Sequence, residues 1–445
     1  MEIPAKDGQM HITETAISMV LAAGLLCAQT TVKYRISSAE IGRPVRYNSS
    51  PDHFVFGDTW SAAWSTDAAG NDAVYSTVDD TGGFNNGLSL TGCKPECGRN
   101  LAIASFDNTA PPNLTGRIVN DMRAFGLVSQ SSPGGPPEEA WKANGLTAID
   151  GVLYLSVSRH RYGQRFFDFR QRAYDANIVR SVDHGRTWSP LPPGTNTPYA
   201  QPMFPGPKFG APVFVQYGKD GAAPDGVDPA DEAGAYVYAA STDGFWDNGD
   251  SLYMGRVRRT EIMDPAKWEF IAGYDAAGKP QWRSGAGGLE AATPILSEAG
   301  RASMAGIQYV PAAGRYILPE WHYPDLGSSC DPNPQRPVTW GRTPFSDPGK
   351  TCVKHSVWQF YEAPHPWGPW TLFHEQDFKT EGFYNPAIFS RFMTTADAEG
   401  TVSLWIITTG TFPTGSYAWD KTYYTAFLLP MKVKLEKLSP QPSGR

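Results

Sequence analysis

Four carboxylates are the strongest candidates for chemistry because each adjoins a run of apolar or aromatic residues. Asp58 ends one such run, and the adjacent Asp79 and Asp80 follow another. Glu320 lies in a segment rich in aromatic residues. Cleavage of a glycosidic bond generally needs two carboxyl groups, one that protonates the leaving oxygen and one that acts as base or nucleophile. We therefore predict that the catalytic carboxylates of a glycoside hydrolase are among these four residues.

Each of these carboxylates also has a structural interpretation. A carboxylate at the end of a hydrophobic strand is costly unless it is used or well hydrogen-bonded. Asp58 could cap the amides of a turn, and two adjacent aspartates before a Gly-Gly pair, like Asp79 and Asp80, are often turn formers. Glu320 could be the partner of an arginine.

The residues predicted to contact the saccharide combine aromatic rings, which stack on sugars, with polar side chains near strand ends. They are Trp60, Phe84, Asn144, Arg159, His160, Trp321, His322, Tyr384 and Asn385. The aromatic share of 13%, with 14 Trp and 20 Tyr, is high enough to supply such rings. Packing within a sheet is the alternative explanation for any one of them.

Two further functions remain open. Arg159 begins a basic segment that could recognise an acidic sugar, since arginine binds carboxylates bidentately, or could simply pair with Asp175. With such an arginine, His322, Tyr323 and His355 could form the base and acid of a polysaccharide lyase acting on uronic acids. A propeller that binds carbohydrate without cleaving it is the third interpretation.

The elements that must position these residues are short strands. Runs of β-branched and aromatic residues are bounded by Gly, Pro, Asn and Asp, and no sustained helical periodicity follows the N-terminal segment. The runs form five groups spaced by roughly 60 to 90 residues, which is typical of repeated blades. We predict an all-β fold, a single-domain five-bladed β-propeller over residues 31–440. Inner strands of a propeller surround a central funnel, so residues at their ends converge on one pocket.

One local motif supports the blades. The segment 181–188, Ser-Val-Asp-His-Gly-Arg-Thr-Trp, fits the S-x-D-x-G-x-T-W "Asp-box" hairpin of sialidase-like propellers. We expect Asp183 to cap turn amides, Gly185 to take a positive φ and Trp188 to pack between strands. This motif is structural and not catalytic.

Several segments together resemble the propeller family known as domain of unknown function 4185, over about residues 40 to 435. They are Gly57-Asp58-Thr59-Trp60, the run from Asp79 to Phe84, 214–220, 253–257 with Trp268, 314–318, 360–364 with 366–370, and 383–386. The resemblance implies a five-bladed propeller and a saccharide substrate. The family includes glycoside hydrolase family 183, endo-acting D-arabinanases whose catalytic pair is two aspartates of the first blade. These would correspond to Asp58 and one of Asp79 and Asp80.

The N-terminus predicts export. The apolar run 16–28 has the length of a signal-peptide core, so residues 1–28 are expected to be removed and the protein to be secreted or periplasmic. Four cysteines then remain, Cys93, Cys97, Cys330 and Cys352. An even count in an exported protein predicts two disulfides, Cys93–Cys97 and Cys330–Cys352, with the other two connectivities open.

Charge and composition narrow the partners. The formal net charge is -7 and no Lys/Arg run stands out, so the electrostatic footprint of a nucleic-acid binder is missing. No segment after the N-terminal run is apolar enough to suggest a membrane span. We expect a carbohydrate as the partner, a monomer, and no catalytic metal or cofactor, with a structural calcium ion in the funnel left open.

Overall fold

The computed structural model describes most of the chain. The described residues are 33–47, 55–85, 87–88, 98–107, 109–127, 139–161, 171–195, 197–223, 227, 234–324, 356–379, 381–410 and 424–439. The predicted signal segment, His355 and all four cysteines of the predicted disulfides lie outside these residues, so those predictions stay predictions.

The described chain is built almost entirely of strands. In chain order they are β1 (Tyr34–Ile41), β2 (Val45–Arg46), β3 (Val55–Asp58), β4 (Ala62–Thr66), β5 (Asp72–Phe84), β6 (Arg99–Phe106), β7 (Gly116–Asn120), β8 (Glu139–Ile149), β9 (Val152–Arg161), β10 (Arg172–Ser181), β11 (Val213–Phe214), β12 (Tyr236–Thr242), β13 (Gly249–Arg258), β14 (Glu269–Tyr274), β15 (Pro280–Ser284), β16 (Pro294–Ala302), β17 (Gln308–Val310), β18 (Arg315–His322), β19 (Ser356–Ala363), β20 (Thr371–Phe378), β21 (Tyr384–Ile388), β22 (Thr401–Thr409) and β23 (Ala426–Lys437). One short helix, α1 (Gly285–Glu290), lies in the part of blade three between β15 and β16, and 3₁₀ turns lie at Arg123–Phe125, Lys219–Gly221 and Pro265–Lys267.

These strands form five antiparallel sheets, which are the five blades of the predicted propeller. The strand orders are β3-β5-β6-β7 with β4 also on β5, β8-β9-β10, β11-β12-β13-β14-β15 with β16 on β13, β17-β18-β19-β20, and β21-β22-β23-β1 with β2 on β23. The all-β, five-bladed fold is therefore confirmed.

The last blade is completed by the start of the chain. Strand β1 pairs along its length with β23, from Tyr34 opposite Lys437 to Ile41 opposite Met431. The sequence grouping did not anticipate this closure, because β1 is mostly exposed and lacks the aromatic run that marked the other strands. Joining the two ends of the chain in one sheet holds the ring of blades closed.

One face of the ring collects the candidate residues. Because the strands within a blade are antiparallel, each inner strand begins at the face where the second strand ends. Asp79, Asp80 and Glu320 were sought on inner strands or in turns, but all three lie inside second strands, β5 and β18. The Gly-Gly pair after Asp80, Gly82 and Gly83, likewise lies within β5, where Gly83 has φ 74°.

Large aromatic side chains fill the space between the blades. The fully buried tryptophans are Trp60, Trp141, Trp268, Trp321 and Trp358. Burying a large apolar side chain contributes about 1.5–3 kcal/mol, so these rings are a major part of what holds the blades together.

The hairpin at residues 181–188 has the predicted Asp-box geometry. Asp183 Oδ1 accepts hydrogen bonds from the Thr187 amide at 2.8 Å and from the Ser181 hydroxyl at 2.8 Å. Gly185 has φ 84°, and the buried Trp188 indole donates to the Gly185 carbonyl at 2.9 Å. The motif fixes a hairpin of blade two on the face opposite the candidate residues.

Candidate active site

Asp58 and Asp79 meet across two neighbouring strands of blade one. They are register partners in the antiparallel pair β3–β5, so their side chains project from the same face with Cβ atoms about 4.5–5.5 Å apart. Gly57 permits this approach, since it has φ 143° and a Cβ there would lie 2.7 Å from the Asp79 carbonyl oxygen. The glycine that precedes Asp58 is thus required by the close packing of the two strands.

Asp80 reaches the same cluster through an unusual backbone conformation. Adjacent strand residues normally point to opposite faces, but Asp80 has φ 44°, a left-handed conformation that a non-glycine residue adopts at some energetic cost. Its carboxylate oxygen Oδ1 contacts the ammonium group of Lys142 in blade two. The Asp80 side chain is 19% exposed, whereas Asp79 is almost completely buried.

Blade two also supplies a backbone donor to this cluster. The Ala143 amide, on β8 directly after Lys142, lies 3.1 Å from Oδ2 and 3.3 Å from Oδ1 of Asp79. Lys142 is itself buried, with 6% of its side chain exposed. A buried ammonium group is expensive without a carboxylate partner, so the contact with Asp80 accounts for a buried lysine in this strand.

Blade five contributes hydroxyl groups. Tyr384, the first residue of β21, donates a hydrogen bond from its hydroxyl to Asp58 Oδ2 at 2.6 Å. Tyr424, just before β23, is a second hydroxyl beside Asp58. The other carboxylate oxygen of Asp58, Oδ1, is buried and accepts no hydrogen bond from the described residues. That oxygen is therefore the one with unused hydrogen-bonding capacity.

The surroundings push the pKa values of the aspartates upward. Burial, and then the negative charge of Asp80, raise the pKa of Asp58 from 3.8 to about 6, although Lys142 and Tyr384 oppose this rise. Burial raises the pKa of Asp79 well above its ordinary value, against the opposing charge of Lys142. Burial therefore favours the neutral form of Asp79, and Asp58 changes charge near pH 6.

Blades three and four complete the site with aromatic rings. The Trp246 ring lies 5.9 Å from the Tyr384 ring and 5.0 Å from the Trp321 ring, in edge-to-face geometry. Burial, followed by the charges of Asp247 and Asp58, raises the pKa of the Tyr323 hydroxyl well above its usual range. Side chains from all five blades therefore converge around Asp58.

The predicted aromatic contacts are mostly part of the protein interior. The Trp60 indole is fully buried and donates to the Thr409 hydroxyl at 2.7 Å. The Trp321 indole is equally buried and donates to the Met304 carbonyl at 3.0 Å. Phe84 lies edge-on to the Tyr47 ring and to the Phe106 ring of its own blade. These placements favour the packing interpretation for all three rings, whereas Tyr384 reaches Asp58.

Two predicted contacts lie side by side on β9 of blade two but differ in their partners. Arg159 forms a two-point ion pair with Asp175, at 3.0 Å and 2.5 Å, as its structural alternative predicted. His160 is buried, its Nε2 has no hydrogen-bond partner among the described residues, and burial followed by Lys142 lowers its pKa to about 3. His160 is therefore a neutral imidazole.

Asn144 and Asn385 line the narrow centre of the ring. With Trp60 they border a cavity of ≈ 20 Å³ between the inner strands, which has room for about one water molecule. The Asn144 amide is held by Ser156 at 3.3 Å and Ser158 at 2.9 Å. A saccharide does not fit in this cavity, so it would have to bind on the face of the ring that carries Asp58.

The remaining two candidates lie on β18 of blade four. His322 is buried at the end of that strand. Glu320 is also buried, and its Oε2 accepts a hydrogen bond from the Ser303 amide at 2.6 Å. Burial, rather than a neighbouring aspartate, raises the pKa of Glu320 to about 8. The structure thus separates Glu320 from the aspartate cluster.

Four residues of the site were not found from the sequence. Lys142, Trp246, Asp247 and Tyr424 are far in sequence from Asp58, and only the fold brings them together. Lys142 had a usable signal, since it is a single charge in the run Ala-Trp-Lys-Ala of an apolar strand. Among the described residues, no group of three or more His, Cys, Asp or Glu is arranged to hold a metal ion, and no described helix is long and apolar enough to span a membrane.

Comparison with known proteins gives a family and a set of distant structural neighbours. The sequence matches the family described as "Domain of unknown function (DUF4185)" over residues 27–407. No curated protein matches the chain.

Solved structures that are similar to the chain include the following three. The GH43_1 enzyme from Xanthomonas citri complexed with xylotriose is 10% identical with a TM-score of 0.37, and the match covers 90% of this chain and 94% of that one. A native arabinanase from Bacillus subtilis is 10% identical with a TM-score of 0.37, covering 84% and 94%. A subtype N11 neuraminidase-like protein from an influenza virus of a flat-faced bat is 9% identical with a TM-score of 0.33, covering 93% and 98%.

Proposed function

The chain belongs to the DUF4185 family, and from this premise we propose that it is a secreted glycoside hydrolase in which Asp58 and Asp80 are the working carboxylates. The observation that carries the proposal is the buried aspartate cluster in which one carboxylate, Asp80, contacts a lysine, while its charge helps to raise the pKa of the other to about 6. Neighbouring carboxyls whose environments separate their pKa values are the usual basis of an acid and base pair.

Asp58 is assigned the role of general acid. Below pH 6 it is protonated, and Oδ1 is free of protein hydrogen bonds while Oδ2 is held by Tyr384. In the first step the Asp58 proton passes to the glycosidic oxygen as the bond from that oxygen to the anomeric carbon breaks. Tyr384 keeps the carboxyl oriented, and the apolar rings of Trp246 and Trp321 limit its contact with water.

Asp80 is assigned the role of nucleophile. It contacts the ammonium group of Lys142, and it is the most exposed of the three aspartates. We propose that an Asp80 oxygen bonds to the anomeric carbon as the leaving group departs. Asp80 directly follows Asp79, the register partner of Asp58, and we propose a double displacement with retention of configuration, which requires that the two carboxyls lie about 5–5.5 Å apart.

The same geometry explains how Asp58 could return as a base. Once Asp80 is esterified its negative charge is gone, and that charge is the second-largest cause of the raised pKa of Asp58. The pKa of Asp58 then falls, so Asp58 can take a proton from water as the water oxygen attacks the anomeric carbon and Asp80 leaves. Asp79 stays neutral and holds the two strands to the Ala143 amide.

The substrate we propose is a neutral glycan, and the family resemblance favours a D-arabinan. The cations of the site are already paired with carboxylates, Lys142 with Asp80 and Arg159 with Asp175. A uronic acid polymer would have to compete with those pairs, so the lyase alternative loses the arginine on which it depended.

The test is turnover on a panel of neutral and acidic glycans, including D-arabinan, L-arabinan and pectin, followed by product analysis. We expect release of reducing ends from a neutral furanoside polymer, with no unsaturated product, and loss of release in Asp58→Asn. Binding of a glycan without turnover by the wild type would replace the hydrolase proposal with the carbohydrate-binding one.

Azide distinguishes the two roles. In Asp80→Ala we expect azide to restore turnover and to give a glycosyl azide of inverted configuration, whereas in Asp58→Ala the azide product should retain configuration. Asp79→Asn is the matched control, because it makes the corresponding change at the adjacent carboxyl, to which the proposal gives no step in the reaction. An Asp79→Asn variant as inactive as Asp80→Asn, and still folded, would transfer the nucleophile to Asp79.

A further inference from the structure

A row of polar side chains crosses blade four, and two of its buried oxygen atoms lack a hydrogen-bond donor. Glu320 on β18 is the register partner of Gln359 on β19, and Gln359 is the partner of Glu375 on β20. Register partners project from one face of a sheet with Cβ atoms about 4.5–5.5 Å apart. Glu320 and Gln359 are both buried, whereas Glu375 is exposed.

The orientation of Gln359 is fixed by its outer neighbour. The Gln359 amide nitrogen donates to Glu375 Oε2 at 3.1 Å, so the amide oxygen is on the other side of the group. That oxygen, Gln359 Oε1, is buried and has no donor among the described residues. Glu320 Oε1 is in the same situation, because only Oε2 accepts the Ser303 amide.

Each of these two buried acceptors, on neighbouring register positions, is costly without a donor. A single proton on Glu320 would give both oxygen atoms a hydrogen bond. A protonated carboxyl is a donor as well as an acceptor, so Glu320 could then donate to Gln359 Oε1. We propose that Glu320 is a neutral carboxylic acid that donates a hydrogen bond to Gln359 Oε1, and that it acts as a positioning residue for the site around Asp58. The second half of this inference rests on the proposed function.

The path from Glu320 to the site consists of hydrogen bonds between buried groups. Glu320 holds the Ser303 amide, and the Ser303 hydroxyl accepts the Asn248 amide at 3.0 Å. The Asn248 side chain then pairs with the backbone of Tyr323, donating to its carbonyl at 2.9 Å and accepting from its amide at 3.1 Å. Tyr323 is the residue whose hydroxyl lies in the electric field of Asp58.

The other charged and titratable groups near Glu320 agree with a neutral acid. The charges of Glu298 on β16, Glu320 and Glu375 on β20 raise the pKa of the Tyr361 hydroxyl after burial does, and Arg301 on β16 opposes them. None of them forms an ion pair with Glu320 among the described residues. Burial raises the pKa of Glu320 to about 8, in agreement with the hydrogen-bond count.

The experiment compares the unfolding of the wild type and of Glu320→Gln between pH 5 and pH 9 in the absence of any glycan. Glutamine has the shape of the protonated acid and can make both hydrogen bonds, so we expect this variant to fold normally. A folded-state pKa raised from 4.5 to about 8 stabilises the protein at low pH, and this contribution is lost as the pH rises through 8. The unfolding equilibrium constant of the wild type should therefore rise about tenfold per pH unit relative to Glu320→Gln until about pH 8.

A matched control is Glu362→Gln, which makes the same change to a buried glutamate of the same blade. Glu362 is bonded to Arg315 at 2.6 Å and 2.9 Å, so its replacement should destabilise the protein and should not reproduce the Glu320→Gln curve. Parallel curves for the wild type and Glu320→Gln would overturn the neutral acid.

The positioning role has its own readout on the glycan that the wild type cleaves. We expect Glu320→Gln to keep kcat/KM within about twofold, and Glu320→Leu, which cannot hold the Ser303 amide, to lose about tenfold or more in kcat. A folded but inactive Glu320→Gln would make Glu320 a group that must ionise, and would overturn the proposal. If no glycan is cleaved at all, the proposed function fails while the unfolding curves still decide the state of Glu320.

Discussion

The aspartates of the hairpin turns and those of the site face differ in what surrounds the same side chain. In the turns, Asp67 accepts the Asn71 amide at 2.9 Å and Asp397 accepts the Thr401 amide at 2.7 Å, and these bonds lower the pKa of both. On the site face, burial raises the pKa of Asp58 and Asp79. Donors and water stabilise the charge in the first group, and their scarcity destabilises it in the second.

This contrast shows which aspartates can transfer protons. A turn aspartate is ionised at every working pH and its oxygens are occupied by amides. Asp58 instead titrates near pH 6 and leaves Oδ1 without a hydrogen bond among the described residues. Burial and the unused oxygen, rather than residue type, set Asp58 apart for chemistry.

The largest effect expected from this comparison is on turnover. Asp58→Asn should lower kcat on the cleaved glycan by about 10³-fold, since loss of general acid catalysis costs about 10²–10⁴. Asp397→Asn should leave kcat unchanged, because that residue only closes a turn. Both variants are checked by steady-state kinetics alongside circular dichroism. Equal losses in the two would remove the distinction between the groups.

The next-largest effect is on the free energy of unfolding. Its sign should be opposite for an aspartate of the site face and an aspartate of a hairpin turn. The pKa of Asp58 is raised in the folded protein. The Asp58 carboxyl therefore stabilises the fold fully below pH 3.8, and this contribution is lost as the pH rises through about 6. At pH 7 Asp58→Asn should therefore be more stable than the wild type by up to about 3 kcal/mol, with no gain at pH 3.5. Asp397→Asn should be less stable at pH 7, because its pKa is lowered. Denaturant unfolding at the two pH values measures both, and a less stable Asp58→Asn at pH 7 would contradict the raised pKa.

A smaller effect, on the pH dependence of kcat/KM, is expected when Lys142 is replaced. Its charge lowers the pKa of Asp58, and an opposite charge at close range typically does so by about 1–3 units. In Lys142→Met the decline of kcat/KM with rising pH should move upward by about one unit or more, together with a lower kcat because Asp80 loses its partner. A pH profile that keeps its wild-type midpoint would show that Lys142 does not act on the acid.

The smallest effect, again on the pH dependence of kcat/KM, is expected when Tyr384 is replaced. Its hydroxyl stabilises the ionised form of Asp58 but ranks below Lys142 among the influences on that pKa. Tyr384→Phe should shift the same decline upward by less than Lys142→Met does. The pH profile of kcat/KM again provides the measurement, and a downward shift would be inconsistent with donation to the carboxylate.

The fold was largely predictable because its signals are local. Strand runs, turn residues and the hairpin of Asp183 each depend on a few consecutive residues, and the turns at Asp67 and Asp397 share the pattern Asp-Ala-x-Gly. Gly70 and Gly400 in these turns have φ 84° and 75°, a conformation that glycine adopts readily. The blade closed by β1 was missed because its pairing with β23 spans the whole chain.

The site was predictable only in part. The sequence brought Asp58 together with Asp79 and Asp80, because the two segments are neighbouring runs of one blade. It could not place Lys142 beside Asp80, and it assigned Trp60 to the substrate although the fold buries that ring. Local sequence gives residue types, whereas burial and charge neighbours arise from the packing of different blades.

A titration of the Asp58 carboxyl tests the central claim most directly. The ¹³C resonance of its side-chain carboxyl, identified by its absence in Asp58→Asn, can be followed from pH 3 to pH 9 without any substrate. A midpoint of about 6, moving to lower pH in Asp80→Asn, is the predicted result. A midpoint at or below 3.8, unaffected by Asp80→Asn, would contradict the assignment of Asp58 as the acid.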